Sequence, residues 1–340
     1  MTTPAAAPSS ARVLVLSVGG TIFMSQDGSG TGVRPGSRGE QVVGAGLVEG
    51  VDVTHEEIAN IGSPSIRPSH LRAVLERARA AVADGLDGVV LTHGTDTLEE
   101  TAFLLNRLWD RAAPLVVTGA MHPADAPGAD GPANVRDAIR AAASSTLREL
   151  GVLAVLDGTA HLADRVTKVS SRRTSAFASS PDGALAVVDG ADVRLLQRLV
   201  DPRPAHLALD LPDPLPTVPV IGLGIGDDGA VLDSLPEGSL AGLVVSGVGM
   251  GHVPEPVVPR LRRLVDAGVP VVVSTRIPEG GTSTHHYAYP GSEVDLLANG
   301  CLMAGVLPAH KARLLLQLLL ADGARAGDDR LPAAFGPFAS

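Results

Sequence analysis

Short, largely apolar runs, each followed within two residues by glycine, constrain this chain most. Residues 12–17, Gly88–Thr92, Leu115–Thr118 and Val152–Leu156 are strand-length and rich in β-branched side chains. Longer amphipathic stretches at Pro68–Ala83, 98–111 and 134–143 predict helices between them. Pro68 suits a first helical turn, with Arg67 extended before it. Such βαβ alternation requires a parallel sheet covered on both faces. Residues 184–196 read as a hairpin around Asp189-Gly190. From residue 200 to residue 216 there are five prolines and little periodicity, the texture of a linker. Beyond it the alternation resumes, with strands at 218–223, 242–246 and Val271–Thr275 and helices at 257–266 and 308–321. The expected organisation is a disordered tail over 1–11, one domain over 12–205, a linker over 206–216 and a second domain over 217–340.

Two of the runs place a hydroxyl beside glycine at a strand's carboxyl end. Val18-Gly19-Gly20-Thr21-Ile22 follows the first, and His93-Gly94-Thr95-Asp96-Thr97 follows the second. Ligands of open α/β sheets bind at that edge. Gly19 and Gly20 remove side-chain bulk, so a substrate can approach Thr21 and nearby backbone N–H groups can bind an oxyanion. The plainer reading is a tight turn with a capping hydroxyl. Asp96 likewise has a structural reading, as the N-cap of the next helix with Glu99 completing a capping box.

Composition narrows the chemistry. The chain has 37 Asp+Glu against 27 Lys+Arg and only 2% aromatic residues, which excludes a basic or stacking platform for nucleic acid. Its single cysteine, Cys301, rules out an intrachain disulfide and a multi-cysteine metal site, and reads as a small buried apolar side chain. The first dozen residues lack the charged start and apolar core of a signal peptide, and no run reaches the ~18 apolar residues of a membrane span. The expected location is cytoplasmic. Only two of the 27 basic residues are lysine, Lys168 and Lys311. A lysine retained against an arginine background suggests a need for an amine, because arginine stays protonated and cannot act as a base. With a depressed pKa, Lys168 could deprotonate a threonine hydroxyl; its plain reading is a solvated surface lysine.

Other candidates carry less. No Gly-Lys-Ser/Thr follows Gly19-Gly20, so there is no phosphate-binding P-loop. Gly222-Leu223-Gly224-Ile225-Gly226 and Gly247-Val248-Gly249-Met250-Gly251 do not complete a dinucleotide fingerprint and read as close-packing turns. His93 and His285-His286 match no zinc spacing. His93 reads as a structural hydrogen-bonding residue.

Together the motifs resemble the bacterial-type L-asparaginase/glutaminase family. The matching pieces are Gly19-Gly20-Thr21-Ile22, Thr92 through Thr101, Gly119-Ala120-Met121, Ala129-Asp130-Gly131-Pro132 with Asn134, Val166-Thr167-Lys168, Glu293-Val294-Asp295 and Lys311-Ala312-Arg313. The resemblance implies an α/β fold: a larger N-terminal domain with a mostly parallel sheet flanked by helices, and a smaller C-terminal α/β domain. It implies a homotetramer of intimate dimers with each active site at a subunit interface. The implied activity is hydrolysis of L-asparagine to L-aspartate and ammonia, with no metal or organic cofactor. Thr21 would be the nucleophile, and Thr95, Lys168 and Asp96 its supporting hydroxyl, amine and carboxylate. Gly62 and Ser63 would bind substrate, Ser63 at the α-carboxylate. Thr95 would also lie at the substrate, and Asp96 and a neighbour's Glu293 would hold the α-ammonium group. Where the family commonly has a lid tyrosine, a glutamine after the serine and a second-domain asparagine, this chain has Val33, Pro64 and Met250. A hydrolase of glutamine or another amide, or a non-catalytic amino-acid-binding protein of the same fold, are the alternatives.

Overall fold

The computed structural model describes residues 10–20, 22, 24–26, 33–35, 47–199, 206–235 and 238–339. It divides into two compact units, Met1–His206 and Leu207–Ser340. The first nine residues of the expected tail and residues 200–205 of the proline-rich stretch lie outside the described residues.

In the first unit the strands are β1 (Ala11–Ser17), β2 (Met24–Gln26), β3 (Val33–Pro35), β4 (Val51–Glu57), β5 (Gly88–Thr92), β6 (Leu115–Thr118), β7 (Val152–Leu156), β8 (Thr159–Leu162), β9 (Thr167–Lys168), β10 (Phe177–Ala178), β11 (Ala186–Asp189) and β12 (Asp192–Leu195). Eight of them form one sheet in the order β12-β11-β8-β7-β6-β5-β1-β4. Pairing is parallel from β4 through β7. It turns antiparallel from β7 onward. The reversal is local chemistry: Asp157 (φ 50°) and Gly158 (φ 68°) supply the left-handed pair that a two-residue hairpin requires. β5, β6 and β7 are buried along their whole length, as strands covered on both faces must be.

β4 escapes the apolar-run reading. Its residues, Val-Asp-Val-Thr-His-Glu-Glu, alternate in burial because it is an edge strand, with Val51 and Val53 packed toward the core. The helix Pro68–Ala83 matches its expected span. Leu71, Val74, Leu75, Ala78 and Ala81 form its buried stripe. The helix expected over 98–111 ends at Asn106. Tertiary partners take over there: Asn106 Oδ1 accepts from the Val152 N–H (2.9 Å), Arg107 pairs with Asp164 (2.5 Å), and the Trp109 indole donates to the Ala113 carbonyl (2.9 Å). The helix expected from residue 134 starts at Gly131, with Pro132 in its first turn.

In the second unit β13 (Val220–Gly222), β14 (Leu243–Gly247), β15 (Val271–Thr275) and β16 (Leu302–Met303) form a parallel sheet in that order. Helices Val258–Asp266 and Ala309–Ala321 have Leu261, Leu316 and Leu318 fully buried. Cys301 lies in this core, and burial pushes its thiol up to about 12, which keeps it inert. No helix among the described residues is long and apolar enough to cross a membrane.

Candidate active site

Strand order creates the site. After β1 the chain runs to β4 on one side; it then returns to lay β5 on the other side of β1. Neighbouring loops therefore diverge at the carboxyl ends of β1 and β5, the topological switch point where α/β sheets bind ligands. The loops after β1, β4 and β5 meet there through glycines. A Cβ on Gly19 would lie 2.4 Å from the Ile61 carbonyl, one on Gly20 2.5 Å from the Gly94 nitrogen, and one on Gly94 2.8 Å from Ser63. Gly19 and Gly20 both have φ of +106°, where L side chains are strained. Backbone bonds stitch the same loops, from Val18 N–H to the Thr92 carbonyl (3.2 Å) and from Ile61 N–H to the Val18 carbonyl (3.1 Å). Gly20→Ala should therefore cost about 2 kcal/mol or more in strain and loop separation. A fall in Tm together with kcat/KM would show it; an unchanged Tm would refute the close approach.

The structure brings Thr95, Asp96 and Lys168 together. Lys168 Nζ donates to Thr95 Oγ1 (3.0 Å) and to Asp96 Oδ1 (2.7 Å). These residues stand 73 and 72 positions from the lysine. The lysine side chain is 14% exposed, and Asp96 is 65% exposed. An ion pair that open to solvent adds little stability; its value is in aiming the amine at the buried Thr95 hydroxyl. Ser63 is buried beside them. It starts the 3-10 turn Ser63–Ser65, with Gly62 as the extended residue before it, and its carbonyl accepts from Thr97 Oγ1 (2.9 Å). Pro64 sits in that first turn, where a missing N–H costs little. Thr21 lies outside the described residues, as does the Val33 side chain. Gly20 and Ile22 flank Thr21; Ile22 is buried in the main core.

The capping-box reading of Asp96 and Glu99 gives way to tertiary roles. Thr97 is the N-cap of helix Leu98–Asn106. The buried Glu99 carboxylate accepts the backbone N–H of Lys168 (3.1 Å), fixing the strand that carries the amine. The i, i+3 spacing of the two acids is plain in the sequence, but it also fits a cap. Asp130 is legible there only as part of a motif. Its carboxylate accepts the N–H groups of Met121 (2.9 Å) and His122 (2.9 Å) and the Asn134 amide (3.1 Å). Asn134 also donates to the Gly119 carbonyl (2.9 Å). A Cβ on Gly119 would reach within 3.3 Å of Thr95 Cγ2, so this network sets the wall behind that threonine.

His93 is structural. It is fully buried, with Nδ1 against the Gly94 carbonyl (2.7 Å) and Nε2 against Thr101 Oγ1 (3.0 Å). Burial lowers its pKa from 6.5 to about 4, opposed by the Gly94 hydrogen bond. His161, enclosed by Thr159 and Ser179, is lowered by burial to about 4 as well. An unfolded chain protonates both below about 6.5, whereas the folded chain resists until about 4. Stability is thus full above pH 6.5 and falls as pH drops toward 4. Between pH 7 and pH 5 the loss should be about 2 kcal/mol for each histidine. Urea midpoints at the two pH values measure it, and His161→Gln should flatten the difference. An identical pH dependence in that variant would remove His161 from the account.

In the second unit Glu293 opens the short helix Glu293–Ala298. Its side chain is fully buried. Oε1 accepts from the His286 and Tyr287 N–H groups (2.6 Å each), and Oε2 lies 2.8 Å from His252 Nε2. Burial alone would raise its pKa; the backbone donors and His252 outweigh that and hold it below the usual range. Met250 is 38% exposed on the loop after β14. His252 carries no signal in the sequence, because 41 residues separate it from Glu293.

Comparison with known proteins matches the chain along most of its length. Residues 12–201 match the family model "Asparaginase, N-terminal", and residues 217–330 match "Glutaminase/Asparaginase C-terminal domain". The chain belongs to the bacterial-type L-asparaginase/glutaminase family. Within the asparaginase family it is 34% identical to the probable L-asparaginase of Deinococcus radiodurans, over 98% of this chain and 100% of that one. It is 30% identical to the L-asparaginase of Bacillus licheniformis, over 92% and 96%. The crystal structure of a probable cytoplasmic L-asparaginase from Campylobacter jejuni superposes with a TM-score of 0.82 at 28% identity, covering 96% of this chain and 99% of that one. The mixed α/β sheet and smaller second unit are therefore the asparaginase fold.

Proposed function

We propose that this protein is an L-asparaginase that hydrolyses L-asparagine to L-aspartate and ammonia through an acyl-enzyme on Thr21. The observation that carries the reading is the Lys168 amine within hydrogen-bond reach of both Thr95 Oγ1 and Asp96 Oδ1, at the switch point of the sheet. In this mechanism the Thr21 hydroxyl attacks the side-chain amide carbon and the amide nitrogen leaves as ammonia. The Thr95–Lys168 pair then helps water attack the resulting ester, which releases aspartate and restores the Thr21 hydroxyl. Backbone N–H groups around Gly20 and Gly94 are the candidate oxyanion donors. Gly62 and Ser63 take the α-carboxylate, and the exposed Asp96 carboxylate takes the α-ammonium group.

The family resemblance supports a cytoplasmic homotetramer of intimate dimers in which a neighbouring copy's Glu293 loop completes each site. The names of these relatives support asparagine as substrate. A coupled ammonia assay with L-asparagine, L-glutamine and their D-forms tests the reading. Ammonia release from L-asparagine, fastest among the four, is the expected result. Release only from glutamine would make the protein a glutaminase, and no release from any of them would leave an amino-acid-binding protein.

A further inference from the structure

A cavity of about 230 Å³ lies in the first unit, where β8 ends and the turn before β11 folds back. It shares no residue with the Thr95–Asp96–Lys168 group. Leu162, Leu185 and Leu199 give it an apolar floor that continues into the main core. Arg165 and Asp182 also line it, 3.1 Å apart, with side chains 36% and 41% exposed. Among the described residues these two side chains have no partners but each other. A guanidinium carries several N–H donors and a carboxylate several lone pairs, so most of both stay unspent. The turn that carries Asp182 is pinned in advance. Gln197 Nε2 donates to the Asp182 and Ala184 carbonyls (2.5 and 3.0 Å), and the Gly183 N–H donates to the Ser179 carbonyl (2.5 Å). Ser179 lines the same cavity, and its hydroxyl has a fixed direction. Thr159 Oγ1 gives its one proton to the Leu156 carbonyl (2.9 Å), so it accepts from His161 Nε2 (3.0 Å). Burial keeps His161 neutral, which leaves Nδ1 to accept from Ser179 Oγ (3.0 Å). The Ser179 oxygen then has only lone pairs for a ligand.

We propose that this cavity binds a small zwitterion with an aliphatic side chain, the chemistry of a free branched-chain α-amino acid. Its carboxylate takes the unspent N–H groups of Arg165, and its ammonium group takes Asp182 and the Ser179 oxygen. Its side chain lies on Leu162, Leu185 and Leu199. The volume suffices, since an apolar cavity of ~150 Å³ already holds benzene. Adjacent opposite charges also select against singly charged ligands: an anion meets Asp182, and a cation meets Arg165. The position ties the cavity to the catalytic lysine. Arg165 lies in the turn that enters β9, and Ser179 follows β10 directly. Those two strands hold Lys168 in register with Phe177. A bound ligand therefore bridges both ends of the ribbon that carries the amine.

Calorimetric titration of the full chain with L-leucine tests this without turnover, so its outcome is independent of the asparaginase reading. One ligand per chain is expected, with a Kd of about 1 mM or tighter. Three analogues should each bind at least about tenfold more weakly. They are 4-methylpentanoate, which lacks the ammonium group, 3-methylbutylamine, which lacks the carboxylate, and glycine, which lacks the side chain. Arg165→Met and Asp182→Asn, both at partly open side chains, should each weaken leucine binding about tenfold. Their ligand-free Tm should stay within about 2 °C of the unaltered chain, because an exposed ion pair adds little stability. No heat and no rise in Tm at about 50 mM leucine would overturn the inference. Leucine binding unchanged in either variant would do the same, and so would 4-methylpentanoate or glycine binding as tightly as leucine.

Discussion

Lys168→Met should lower kcat on L-asparagine by about 10³-fold while the protein stays folded. The scale is that of removing a positioned general base. Folding survives because the pair with Asp96 is half open to water, where ion pairs contribute no more than about 1 kcal/mol. Lys168→Arg separates the two roles the amine can have. Arginine keeps the charge beside Asp96 but cannot give up a proton to act as a base. If the amine moves a proton, Lys168→Arg should be nearly as inactive as Lys168→Met. Recovery of activity with arginine would show that only positive charge is needed, and the base would have to be sought elsewhere. Circular dichroism and urea midpoints on both variants exclude unfolding as the cause.

Thr21→Ala should abolish ammonia release altogether, because no nucleophile remains to form the acyl-enzyme. Thr21→Ser should keep a measurable fraction, since the hydroxyl is retained. Rapid acid quenching followed by mass spectrometry should find the aspartyl adduct on the unaltered chain and none on Thr21→Ala. Adduct formation on Thr95 instead would reverse the two threonines' roles. Measurable steady-state turnover in Thr21→Ala would end the proposed mechanism. The two variants also differ in kind: Thr21→Ala removes the first chemical step, whereas Lys168→Met should slow proton movement in both.

Much of this site is legible in the amino-acid order alone. Gly19, Gly20 and Gly94 mark places where backbones come together, and each leaves less than 3 Å of room for a Cβ. The rarity of lysine points to Lys168. Less is legible where polar residues have two plausible uses. Glu99 fits a helix cap by spacing, yet its carboxylate goes to the Lys168 backbone. β4 does not read as a buried strand because an edge strand alternates. Helix Leu98–Asn106 stops early because Asn106, Arg107 and Trp109 find partners outside it. None of those partners leaves a trace in local periodicity.

By itself, the order of side chains along the chain determined the elements, the glycine contacts and the family motifs, because these depend on φ preference and on apolar spacing over a few residues. Only the tertiary structure decided that β5 lies beside β1, which puts the loops through Gly19-Gly20 and Gly94-Thr95 at one switch point. It also decided that Lys168 spans 73 residues to meet Thr95, and that His252 links Glu293 to Tyr289. The reason is the same in each case. Strand order and long-range polar pairing follow from which buried faces and unsatisfied groups meet after collapse, and no local pattern encodes that meeting.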